Sequence, residues 1–146
     1  MVPKLILVPI DFSASAEQAL DYACALAGKL GSTVRLVHAV SSPPAALQVA
    51  LSEGILEGLV KEHRDALEKL AGARRELASF GEVTVEVGDP RDTIVGRAGA
   101  VGADLIVMGT HGRRGLSRVM MGSVAEDVIR HAPCPVLVVR ATQREA

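Results

Sequence analysis

The segment GTHGRRGLSRVMMG, running from Gly109 to Gly122 and followed by Ser123, has the residue types of an anion cradle. Gly109, Gly112 and Gly115 permit positive φ and lack the Cβ that would hold an anion away from backbone N–H groups. A helix opening near Ser123 would add unpaired N–H donors and the positive end of its dipole. The Ser123 hydroxyl and the charges of Arg113, Arg114 and Arg118 lie close by in sequence. The same residues also have a local explanation. Ser123-Val-Ala-Glu126 has the spacing of a capping box, which would turn the serine onto its own helix, and the arginines could form a solvated charge run. His111, inside the loop, could approach a phosphate or serve in proton transfer, but no carboxylate neighbours it in sequence to orient it.

A second group stands in Val8-Pro9-Ile10-Asp11-Phe12-Ser13. Asp11 closes an apolar run, where it could accept hydrogen bonds from ribose hydroxyls, hold a metal, or help cap the next helix. No GxxxxGK[ST] loop is present, and no glycine triplet follows the first apolar run, where a dinucleotide fingerprint would fall.

The elements that must position these groups read as βα units. Lys4–Ile10 is a nearly continuous apolar strand, as a strand covered on both faces should be. Ser13 offers an N-cap, and Ala16, Leu20, Ala23, Ala27 and Leu30 recur at helical spacing up to Gly31. Thr33–Val40 is the second strand, stopped by Pro43 and Pro44. A helical pattern covers about 46–79, with Leu56, Val60, His63, Leu67, Leu70 and Leu77 on one face and a weak first third at Gly54 and Gly58. Glu82–Val87 alternates as a half-exposed third strand. Asp89-Pro90 caps a short helix to about Val101. Ala103–Met108 is the fourth strand, Ser123–His131 the last helix and Pro135–Arg140 the fifth strand.

Five strands with helical crossovers predict one open α/β sheet and one domain over residues 1–146. Ligands of such sheets bind beyond the carboxyl ends of the strands, where the winding reverses. The loop after the fourth strand exceeds the usual length of about two to six residues, as functional loops do.

Composition narrows the function. A chain of 146 residues, 49% hydrophobic and 23% charged, can bury a core without disulfides or a metal. Sixteen basic residues against 17 acidic ones, and aromatics at only 2%, argue against nucleic-acid binding by phosphate neutralisation or base stacking. Cys24 and Cys134 make neither a disulfide framework nor a zinc motif, and both are expected to be structural. His38 reads as a packing residue at a strand end, and His131 faces its own helix's C-terminal dipole. No signal peptide or transmembrane stretch is legible, which predicts a soluble, reduced, cytoplasmic protein without membrane contact.

The residues that carry the anion argument also carry a resemblance. Val8-Pro9-Ile10-Asp11-Phe12-Ser13, the spaced Gly109-x2-Gly112-x9-Gly122-Ser123, and the ending from Ser123 through His131-Ala-Pro-Cys-Pro-Val-Leu-Val-Val139 resemble the universal stress protein family, in its ATP-binding branch. The resemblance covers essentially the whole chain. It implies an open five-stranded parallel sheet of order 3-2-1-4-5, Rossmann-like, with helices on both faces, as in adenine-nucleotide α-hydrolases. It further implies ATP, with Mg²⁺ held through the phosphates and no metal site from protein groups alone. Pro9, Ile10 and Asp11 would flank adenosine, Asp11 toward the ribose, and Ala39 would meet adenine through its backbone. Met108 and Gly109 would line the nucleoside. Thr110, His111, Gly112, Arg113, Arg114, Gly122, Ser123 and Val124 would surround the phosphates. Ala39 is smaller than the valine of some members, which loosens adenine packing and leaves the backbone contacts intact.

The apolar fifth strand, residues 135–140, would be a sheet edge in need of a partner, and family members pair through it into homodimers. No catalytic residue is assigned. A nucleotide-occupancy switch in stress response is the leading reading. The alternatives are slow ATP hydrolysis or autophosphorylation on Ser123 or Thr110, and an interaction module that binds no nucleotide.

Overall fold

The computed structural model describes residues 2–41, 53–110 and 121–140. His111, Gly112, Arg113 and Arg114, and the start of the helical pattern at 46–52, lie outside them. The elements are β1 (Leu5–Pro9), α1 (Ala14–Leu30), β2 (Thr33–Val40), α2 (Glu53–Gly72), β3 (Ser79–Phe80), β4 (Thr84–Val87), α3 (Pro90–Val101), β5 (Leu105–Gly109), α4 (Ser123–His131) and β6 (Val136–Val139).

Every described strand pairing is parallel, in the order β3-β2-β1-β5-β6, with β4 also on β2. The described strands number six, one more than the sequence suggests. The expected third strand is an edge in two pieces: β3 pairs with Thr33 and Val34, and β4 with Val37 to Val40. Between them the Gly81 amide donates to the Val34 carbonyl at 2.9 Å, which keeps the broken edge attached. A helical reading that ran through residue 79 hid the first piece. In the structure α2 stops at Gly72, turns occupy 73–77, and Leu77 is exposed instead of joining the apolar stripe.

Alternation along the strands sends side chains to two cores. Ile6, Val8, Ile10 and Val107 pack with Ala19, Leu20, Ala23 and Leu67 of α1 and α2. Leu7, Val37, Ile106 and Met108 face Ile94 and Ala98 of α3 and Ala125 and Val128 of α4. The α1 stripe is buried at Ala16, Leu20, Ala23 and Ala27. Leu30, at the helix end, is exposed.

The helix signals of α1 and α3 lie where the sequence puts them. The Ser13 hydroxyl accepts from the Ala16 amide at 3.1 Å, and Gly31 ends α1 at φ 73°, a conformation glycine adopts without strain. Asp89 caps α3 through the Asp92 amide, with Pro90 as its first residue. Ser13→Ala is expected to lower stability by about 1 kcal/mol in urea unfolding, the usual weight of an N-cap. The last helix has the expected bounds, Ser123–His131, but the capping box offered as a local explanation for Ser123 does not form. Gly122 is the N-cap and Ser123 the first helical residue. No described helix is long and apolar enough to cross a membrane.

Candidate functional site

From β1 the chain winds outward through β2, and from β5 outward through β6, so the winding reverses between β1 and β5. Beyond the carboxyl ends of these strands lies a cleft of about 460 Å³. Every expected site residue that is described lines it. Pro9, Ile10 and Asp11 come from the end of β1, and Ala39 from β2. Met108, Gly109 and Thr110 come from the end of β5, and Gly122, Ser123 and Val124 from the start of α4.

The structure adds walls the sequence did not point to. Val37, His38 and Ser41 enter from β2 and its end, Ala16 from α1, Pro90 and Ile94 from α3, and Ala125 from α4. The β2 residues had a readable signal, because β1 and β2 run parallel with Pro9 opposite Val37. Nothing in the sequence announces how far α3 leans over the sheet.

Asp11 is only partly committed. Its Oδ1 accepts from the Ser13 amide at 3.0 Å and from the Ser13 hydroxyl. That hydroxyl in turn accepts from the Ala16 amide. The carboxylate therefore braces the start of α1, and no described group engages its Oδ2. Phe12, next in the chain, has φ 63°, the one positive φ outside glycine among the described residues. For a residue with a Cβ this conformation costs on the order of 1–2 kcal/mol. The Phe12 ring lies 4.8 Å from His38 and 5.6 Å from His63, centroid to centroid.

On the other side of the cleft, the Gly122 amide donates to the Thr110 carbonyl at 2.6 Å, which clasps the two ends of the glycine-rich loop together. No described side chain caps α4, so the first-turn N–H groups at Ser123, Val124 and Ala125 border the cleft without an intrahelical acceptor. Gly109 has a packing reason to be glycine. A Cβ there would stand 2.9 Å from the Ser15 carbonyl oxygen and 3.0 Å from its carbon.

The electrostatics follow from this inventory. Asp11 is the one carboxylate among the described lining residues, and none of them is lysine or arginine. Among the described residues, attraction for an anion comes from backbone, since the first turns of α1, α3 and α4 all contribute residues to the cleft. Val37, Ile94, Met108 and Ala125 supply apolar surface. Such a cleft suits a ligand with a flat apolar body and an anionic tail.

The two thiols stand apart from the cleft. Burial pushes the Cys24 thiol up, Arg74 pulls it back and Asp21 adds to the rise. Burial raises the Cys134 thiol as well, with Asp104 adding to it and a hydrogen bond with the Ile106 backbone opposing. No cluster of three or more histidine, cysteine, aspartate or glutamate residues is gathered for a metal among the described residues.

Comparison with known proteins agrees with the geometry. The model of the universal stress protein family matches residues 3–140. Universal stress protein MJ0531 of Methanocaldococcus jannaschii is 37% identical over 144 residues, covering 97% of this chain and 85% of the relative. The solved structure of MJ0577, from the same organism, superposes with a TM-score of 0.85 at 30% identity, over 99% of this chain and 100% of that one. A universal stress protein from Archaeoglobus fulgidus, solved in complex with dAMP, gives a TM-score of 0.67 at 29% identity, over 94% of this chain and 98% of that one. The chain belongs to the universal stress protein family.

Proposed function

We propose that this chain is an ATP-binding universal stress protein, a single-domain cytoplasmic homodimer that signals by nucleotide occupancy. The observation that carries the reading is the uncapped start of α4, set across one cleft from Asp11 and the ends of β1 and β2. Helix N-termini with free amides hold phosphates without any cationic side chain. The dAMP complex of the Archaeoglobus fulgidus relative supports an adenine nucleotide as the ligand class.

In this reading Pro9, Ile10 and the backbone of Ala39 pack adenosine, and the Asp11 Oδ2 accepts from the ribose. Met108 and Gly109 line the nucleoside. Thr110, Gly122 and the Ser123 and Val124 amides take the phosphates, with His111, Gly112, Arg113 and Arg114 completing the grip. Asp11 is the one carboxylate among the described lining residues, and its Oδ1 is engaged by Ser13. Mg²⁺, which keeps several waters and binds with few carboxylates, is therefore held chiefly through the phosphates. The apolar β6, at the end of the sheet order, offers the edge through which two copies pair.

The ligand's identity is testable on purified protein to which no nucleotide has been added. Denaturation followed by chromatography and mass measurement should release an adenine nucleotide. Release of a guanine or pyrimidine nucleotide instead would overturn the adenine assignment.

A further inference from the structure

We infer that His63, on α2 and outside the cleft, is a positioning residue that holds Asp11 in its ligand-facing geometry by clamping Phe12 in the left-handed conformation. The inference rests on the nucleotide reading for its affinity readout and on geometry alone for the rest.

Phe12 joins Asp11 to the α1 cap, and its positive φ must be offset by contacts elsewhere. Phe12 packs against the hydrophobic core between the sheet and α1, and two imidazoles close on its ring. The His63 ring stacks on the Phe12 ring, at 5.6 Å between centroids and 25° between planes. The His38 ring meets Phe12 at 4.8 Å and 58°, and meets His63 edge-on at 4.7 Å and 65°. Three rings from β1's end, β2 and α2 thus close on one another.

His38 ties this cluster to the cleft. Its Nδ1 lies 2.6 Å from the Ile10 carbonyl, which can only accept, so Nδ1 carries the proton and donates. Ile10 is also held by its own amide, which donates to the Val37 carbonyl at 2.8 Å. Ile10 is therefore fixed from both sides, and the freedom left before α1 lies at Asp11 and Phe12. Stacking by His63 removes it.

His63 serves here as a ring. Its Nδ1 is buried and meets no hydrogen-bond partner among the described residues. A buried unpaired nitrogen is a cost with no structural return, so a phenyl ring should do the clamping equally well and fold more stably. This expectation separates a positioning role from mere helix packing or from imidazole chemistry.

The test compares the full-length wild type with His63→Ala and His63→Phe in three measurements: thermal unfolding, exchange of the Ser13 amide hydrogen, and ATP affinity by calorimetry. That amide is held by the Asp11 Oδ1 at 3.0 Å and so reports Asp11 placement without any ligand. His63→Ala should speed Ser13 exchange while Ala23, in the middle of α1, stays protected. It should weaken ATP binding about tenfold, the scale of one residue released from the left-handed region. His63→Phe should restore both and unfold at an equal or higher temperature. Unchanged Ser13 exchange in His63→Ala, or failure of His63→Phe to rescue it, would overturn the positioning role. If the wild type takes up no ATP, the functional reading falls, and the exchange data still decide the role of His63.

Discussion

Replacing Ser123 with glutamate should weaken ATP binding a hundredfold or more while leaving the protein as stable as before, or slightly more so. Ser123 is the exposed first residue of α4, and no described side chain caps that helix. A carboxylate in the first turn complements the helix dipole, a favourable change of about 0.3–1 kcal/mol. The same carboxylate would stand where the phosphates are proposed to sit. Two like charges about 4 Å apart near a protein surface repel by about 4 kcal/mol, so affinity should fall by a hundredfold or more. Stability and binding thus move in opposite directions, which no general damage to the fold can imitate. Calorimetry with ATP and a urea unfolding curve on the same sample check the pair. Retained affinity in Ser123→Glu would place the phosphates elsewhere.

Gly109→Ala should destabilise the fold by about 3 kcal/mol, at the upper end of overpacking costs. The added Cβ would approach the Ser15 carbonyl oxygen to 2.9 Å and its carbon to 3.0 Å. These are backbone atoms in the first turn of α1, so relief requires shifting α1 against β5. Both elements border the cleft, so nucleotide affinity should fall as well. The glycine in the loop motif is therefore needed for helix–strand packing whether or not a ligand is present. A urea midpoint within error of the wild type would show that α1 moves aside easily.

The contrast between these two substitutions shows what the sequence could reveal. The spacing Gly109-x2-Gly112-x9-Gly122-Ser123 located the loop, and the described part of it does line a cleft with Asp11. Spacing could not show that Gly109 is required by Ser15, a residue far away in the chain. Both helix-opening signals, Ser13 and Asp89-Pro90, were legible because each rests on local chemistry, whereas the strand order came only from the family resemblance. The capping box, one of the two explanations the spacing allowed for Ser123, is not the one the fold adopts. Ser123 and Glu126 have the right spacing, but the Gly122 amide is drawn to the Thr110 carbonyl and the helix begins one residue earlier than a Ser123 cap requires.

The Phe12, His38 and His63 cluster was hidden altogether. His63 reads as one more member of a helical stripe, and only the folded chain brings it to Phe12. Similarly, the α3 wall of Pro90 and Ile94 depends on the lean of a helix, which periodicity does not encode. Side chains that meet across three elements leave no mark at any single spacing.

Titration of ATP with Mg²⁺ into ligand-free protein, followed by calorimetry, tests the central claim most directly. One site per chain with micromolar affinity is the predicted result. The absence of any binding heat at millimolar ATP over a range of temperatures, with no shift in unfolding temperature, would contradict it. The cleft between β1 and β5 would then serve recognition of something other than a nucleotide.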